Sequence, residues 1–161
     1  MINNKKILAI TLARGGSKTV KKKNIADICD KSLLQYTTDE VNKSKYIDRY
    51  IVSTDDDEII NICKKLDVAW FKRSAKYASD TAKSSDAVIE IVNTISEEYH
   101  YIIEAMCTNP LKTVEDIDGC IEKLDSTNAD SVVSVVRLWD HHPSRVKYIE
   151  DDILKDFYPE P

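Results

Sequence analysis

The stretch that most constrains this chain is residues 7–24, ILAITLARGGSKTVKKKN. An apolar run of Ile7, Leu8, Ala9, Ile10 and Leu12 stops at Ala13, and Arg14-Gly15-Gly16-Ser17-Lys18 follows at once. That order predicts a buried strand handing a glycine loop to the carboxyl edge of a sheet, where open α/β folds bind their ligands. The chain has 3 glycines, and two of them sit in this loop. Glycine allows positive φ and close backbone approach, so loop N–H groups are expected to converge on an anion. Arg14, Lys18, Lys21, Lys22 and Lys23 surround the loop with no carboxylate before Asp27, which suits a ligand with several phosphates. A solvated basic loop would have the same composition, and the spacing matches neither GxxxxGK[ST] nor GxGxxG. The residues alone leave both readings open.

Further along, strand and helix patterns alternate. Residues 32–45 carry a broken apolar stripe, 50–53 read as a strand, and Asp55 with Glu58 has capping-box spacing. Ile59, Ile62, Cys63 and Leu66 recur at helical spacing, and 68–71 form a third strand. After a polar loop over 72–83, Ser84 or Ser85 is expected to cap a helix carrying Val88, Ile91, Val92 and Ile95. A fourth strand spans 101–106, and Thr113 caps a helix with Val114, Ile117, Ile121 and Leu124 inward. SVVSVVRL at 131–138 reads as a fifth strand, and 145–149 with 154–158 as a pair of late strands. The alternation predicts a mainly parallel sheet covered on both faces, in a single domain spanning 1–161.

At 161 residues the chain has the length to bury a core. A net charge of −5 argues against a general nucleic-acid binder, which needs a dispersed basic face. No apolar run approaches the roughly 20 residues of a membrane helix. The opening MINNKKILAI is interrupted by Thr11 and Arg14 and does not read as a signal peptide. Cys29, Cys63, Cys107 and Cys120 lack CxxC spacing and read as reduced cytoplasmic thiols. Candidate site residues follow each strand: 14–18, 54–56, Arg73, 108–110 and 140–142. Asp55 and Asp56 read as helix caps rather than metal ligands, and His141-His142 as a turn rather than an acid–base pair.

These residues also carry a resemblance. ILAITLARGGSK, Lys23-Asn24, IVSTDD at 51–56, Arg73 with ASDTAKSS at 78–85, CTNPLKTVEDID at 107–118 and DHHP at 140–143 resemble the acylneuraminate cytidylyltransferases, in register from about residue 7 to 143. The resemblance implies a Rossmann-like three-layer sandwich of the nucleotide-diphospho-sugar transferase type, truncated here at the carboxyl end. It implies transfer of CMP from CTP to the anomeric hydroxyl of a sialic-acid-like nonulosonic acid, with Mg²⁺ as cofactor and pyrophosphate released. By the same match Arg14 and Lys23 are the catalytic cations. Ser17 joins them at the phosphates, Gly15, Gly16, Lys18 and Asn24 belong to the nucleotide site, and Arg73, Ala82 and Ser84 lie against the cytosine and its ribose. Met106 and Thr108 would face the acidic nine-carbon sugar, Met106 standing where the family has glutamine and Lys112 where it has arginine. The metal-holding carboxylates and most of a homodimer contact would lie in a following segment. Two other readings stand beside this one: a module that holds CTP without turnover, and a synthetase for another acid sugar such as 3-deoxy-manno-octulosonic acid.

Overall fold

A computed structural model describes residues 1–17, 20–137 and 146–156. The opening apolar run forms β1 (Ile7–Leu12), which is the spine of the molecule. Its first five residues are buried whichever way their side chains point, as a strand covered on both faces requires. The one polar group in that run is satisfied: Thr11 Oγ1 donates to the Ala105 carbonyl (2.7 Å) and accepts from the Tyr50 hydroxyl (2.8 Å).

After the glycine loop, a 3₁₀ turn spans Lys23–Ile25, and β2 (Asp27–Ile28) folds back on β3 (Lys31–Ser32). The two residues between them, Cys29 and Asp30, both have positive φ, the twist a two-residue hairpin needs. Helix α1 (Leu33–Val41) starts where the Ser32 side chain accepts from the Gln35 N–H. β4 (Arg49–Thr54), α2 (Asp57–Lys65), β5 (Ala69–Lys72) and the short α3 (Ala75–Ala78) follow, then α4 (Ser84–Thr94), β6 (Tyr101–Glu104) and α5 (Val114–Thr127). The polar loop expected over 72–83 therefore contains a helical turn. At the end, β7 (Lys147–Glu150) pairs antiparallel with β8 (Ile153–Asp156), the late strand pair read from the sequence.

The main sheet runs β5-β4-β1-β6, all parallel. Side chains of α1, α2 and α5 (Leu34, Val41, Ile59, Cys63, Ile117 and Ile121) pack with Ile7, Ala9, Tyr50 and Val52 on one face. Ile91 of α4 packs with Leu8, Ile10 and Ile51 on the other. Burying side chains of this kind contributes about 1.5–3 kcal/mol each.

Two helix starts differ from expectation. The cap of α2 is Asp56, which accepts from the Glu58 and Ile59 N–H groups, so Asp55 is free for another contact. Helix α4 follows Lys83, whose side chain makes no cap, and Ser84 and Ser85 lie inside the first turn. The larger correction concerns 131–137, which form no strand and leave Val133, Val135 and Val136 exposed. Topology supplies a reason. β1→β4 and β4→β5 step one way with α1 and α2 on the first face, and β5→β6 steps back with α4 on the second. Because α5 lies on the first face, a right-handed parallel return from it would land on the side of β6 that β1 already occupies.

Candidate functional site

A cleft of about 310 Å³ lies beyond the carboxyl ends of β1, β5 and β6. Arg14, Ser17, Lys23 and Asn24 line it from the loop after β1. Arg73, Ala82 and Ser84 line it from the segment after β5, and Met106 and Thr108 from the loop after β6. Residues as far apart in sequence as Arg14 and Thr108 therefore share one concavity. Lys18 and residues 140–142 lie outside the described residues.

Gly15 and Gly16 do not line the cleft, and neither has positive φ. The expected left-handed nest is thus absent from the described loop, and the need for glycine at position 15 is steric. A Cβ there would stand 2.4 Å from Asp56 Oδ2 and 2.7 Å from Asp56 Cβ. The Gly15 N–H donates to Asp55 Oδ1 (3.0 Å), so the anion it meets is a side chain of the protein. Asp55 therefore holds the loop by a hydrogen bond, while Asp56, which caps α2, stands close against Gly15. Behind it, Asn24 Nδ2 donates to the Arg14 carbonyl (3.0 Å), tying the basic stretch back onto the end of β1.

The Arg14 guanidinium donates to Asp80 Oδ1 (2.7 Å) and to the Ser79 carbonyl (3.3 Å). Arg73 is more deeply set, with 6% of its surface exposed. Its Nε donates to Ser53 Oγ (3.0 Å) and its Nη2 to the Ser53 carbonyl (2.7 Å). Burial pushes this guanidinium below its ordinary pKa, with Asp55 and Glu90 opposing that push and Arg14 adding to it. Arginine does not give up its proton in proteins, so the consequence is a desolvated cation held by neutral oxygens. Such a group interacts strongly with any acceptor that enters the cleft.

Several lining residues carried no usable sequence signal. Tyr77 lay within a stretch read only as polar loop, and Asp80 fell inside the ASDTAKSS motif without a role of its own. Glu104 had one: it breaks the apolar pattern at the end of β6, where it faces the cleft. As a metal site the described carboxylates fit poorly. Asp55 is engaged by Gly15, Asp56 by α2 and Asp80 by Arg14. Among the described residues no group of three or more His, Cys, Asp or Glu could hold an ion.

The strand order and edge cleft define an α/β fold of the nucleotidyltransferase type. The chain belongs to the cytidylyltransferase family, whose sequence model matches residues 8–151. A pseudaminic acid cytidylyltransferase of Campylobacter jejuni is 34% identical over 73% of this chain and 53% of its own length. An N-acylneuraminate cytidylyltransferase of Oncorhynchus mykiss is 31% identical over 84% of this chain and 31% of its own. The chain thus spans about half, or less, of these curated relatives. In three dimensions it resembles a CMP:2-keto-3-deoxy-manno-octonic acid synthetase solved with CTP. The TM-score is 0.68 at 18% identity, over 77% of this chain and 49% of that one.

Proposed function

We propose that this chain is the nucleotide-binding part of an enzyme that transfers CMP from CTP to the anomeric hydroxyl of a sialic-acid-like nonulosonic acid. The observation that carries this reading is the single cleft shared by the loop after β1, the Arg73–Ser84 segment and the Met106–Thr108 wall. In the reaction the hydroxyl oxygen bonds to the α-phosphorus. The bond from that phosphorus to the bridging oxygen breaks, and its electron pair leaves with pyrophosphate. Alignment and stabilisation of the growing negative charge are the main requirements. Arg14, Ser17 and Lys23 supply cations and donors for the phosphates, with Lys18, Gly15, Gly16 and Asn24 shaping that end. Arg73, Ala82 and Ser84 receive the cytidine, where a desolvated guanidinium beside small side chains suits a flat base bearing acceptors. Met106 and Thr108 face the sugar.

The Arg14–Asp80 pair also supports this reading. Both side chains are over a third exposed, so the pair is worth only about 0–1 kcal/mol and yields readily to a polyphosphate. Mg²⁺ would arrive with the triphosphate and neutralise phosphate oxygens, needing only one or two protein carboxylates. No helix among the described residues is long and apolar enough to cross a membrane. Its cysteines are free, as in a cytoplasmic enzyme.

The test is a thermal-shift and calorimetric series with CTP, ATP, GTP and UTP plus Mg²⁺, followed by pyrophosphate release with a panel of nonulosonic acids. CTP should raise the melting temperature most. Arg14→Ala should weaken CTP binding roughly tenfold or more, about 1.4 kcal/mol per decade, without unfolding the chain. No preference for CTP would end the nucleotide assignment. Binding without pyrophosphate release would leave a non-catalytic module.

A further inference from the structure

Lys112 is half-buried between α1 and the loop that follows β6. Its ammonium donates to Thr37 Oγ1 (2.7 Å), to the Met106 carbonyl (2.8 Å) and to the Asn109 carbonyl (2.9 Å). An ammonium has three N–H donors, and here each meets a neutral oxygen. No carboxylate pairs with it among the described residues, although a lysine of this length could reach out to water. Burial pushes its pKa below the ordinary value, so holding the charge here costs desolvation. What that cost secures is geometric. Two of the acceptors bracket Cys107 and Thr108, and the third belongs to a fully buried residue of α1. The same helix reaches across again through Glu40 Oε2, which accepts from the Val114 N–H (2.9 Å).

We propose that Lys112 is the positioning residue of the Met106–Thr108 wall: by gripping both ends of that turn and anchoring them to Thr37, it fixes where Met106 and Thr108 stand in the cleft. Its consequence for a sugar acceptor rests on the reading of the cleft given above, but the positioning itself can be measured without any ligand. The chain has 2 methionines, Met1 and Met106, so methyl-¹³C methionine labelling of the whole chain gives a direct probe of the wall.

In Lys112→Leu the Met106 methyl resonance should move and broaden. The Asn109 amide, which donates to the Met106 carbonyl, should exchange roughly tenfold faster or more through local opening, while amides of β1 keep their rates. Lys112→Arg, which restores a multi-donor cation, should return both signals toward those of the unaltered chain. Thr37→Val removes one acceptor of the lysine together with the threonine's own bond to the Met106 carbonyl (3.5 Å), and should shift the Met106 methyl in the same direction. Lys112→Gln, which keeps a polar stem and lacks the ammonium, decides the matter if Lys112→Leu fails to fold. An unmoved Met106 methyl, failure of Lys112→Arg to restore it, or equal acceleration of every amide would overturn the proposal. Absence of CTP binding by the unaltered chain would instead sink the reading of the cleft and leave the Lys112 result standing.

Discussion

Gly15→Ala isolates the contact that shapes the loop after β1. The added methyl would lie 2.4 Å from Asp56 Oδ2, 2.7 Å from its Cβ and 2.9 Å from its Cγ, so all three nearest atoms belong to one side chain. That side chain is not free to turn away, because its Oδ1 accepts from Glu58 N (2.7 Å) and Ile59 N (3.2 Å) at the start of α2. If the aspartate moves, α2 loses a cap worth about 0.5–2 kcal/mol. If the loop moves instead, overpacking strain costs about 1–3 kcal/mol. The expected destabilisation is therefore about 0.5–3 kcal/mol, depending on the route. Asp56→Gly removes every clashing atom while costing only a few tenths of a kcal/mol, since glycine is tolerated at a helix N-cap. Gly15→Ala should then be nearly harmless in the Asp56→Gly background, a coupling of about 1–2 kcal/mol. Urea unfolding of the four proteins, followed by far-UV circular dichroism, measures this. A 2 kcal/mol loss moves the midpoint by roughly 1 M for a chain of this size. Additivity within about 0.5 kcal/mol would refute the steric account of Gly15.

Two further outcomes follow from the geometry. Burial pushes the Cys107 thiol from 9.0 up to about 12, a raised folded-state value, so its stabilising contribution is complete below about pH 9 and is lost as pH climbs toward 12. The unfolding free energy of the unaltered chain, read from urea titrations, should fall between about pH 8 and about pH 10.5 by up to ~2 kcal/mol more than that of Cys107→Ala, and parallel pH profiles would contradict this. At α5, Thr113 and Asp116 form a reciprocal capping box, so Thr113→Ala should cost about 1 kcal/mol and speed amide exchange in the first turn of that helix, both read by unfolding and exchange.

How much of this was legible in the chain depends on which physics set each feature. β1 and β4 announced themselves because strands buried on both faces leave continuous apolar runs, β5 and β6 showed as shorter runs on half-exposed edge strands, and the helices showed because burial on one face leaves a periodic mark. The cap at Thr113 is a local event that the sequence marked, while the reciprocal bond from Asp116 that makes it a box came only with the structure. The cap of α2 was misplaced by one residue because Asp55 and Asp56 are both competent. The choice between them is made by Gly15, forty residues away in sequence, which takes Asp55 as its acceptor. Residues 131–137 failed for the opposite reason. Their β-branched composition is real, but pairing requires a vacant sheet edge that a right-handed connection can reach, and composition says nothing of either. At the site, position after a strand picked out Arg14, Arg73 and Thr108. Nothing local marked Tyr77, and Asp80 was marked only as part of a motif; both come to the cleft through the path of a long loop.

That path matters for how the cleft would work. The basic stretch after β1 reads from the sequence as unopposed positive charge waiting for phosphate. In the folded chain much of it is already answered: Arg14 by Asp80, Lys22 by Glu58, and the Gly15 N–H by Asp55. On the proposed reading, a triphosphate would exchange for internal carboxylates rather than fill a bare cationic pocket, and its net gain would be the difference between two sets of charge-assisted bonds. The exposed pairs are weak and cheaply given up, whereas the Gly15–Asp55 bond and the Asp56 cap are built into the start of α2. The loop is thus held in shape by the contacts that persist and emptied for ligand by those that yield. On that reading, selectivity among nucleotides would fall to Arg73, whose desolvated guanidinium is held by Ser53 rather than by the carboxylates a phosphate would displace.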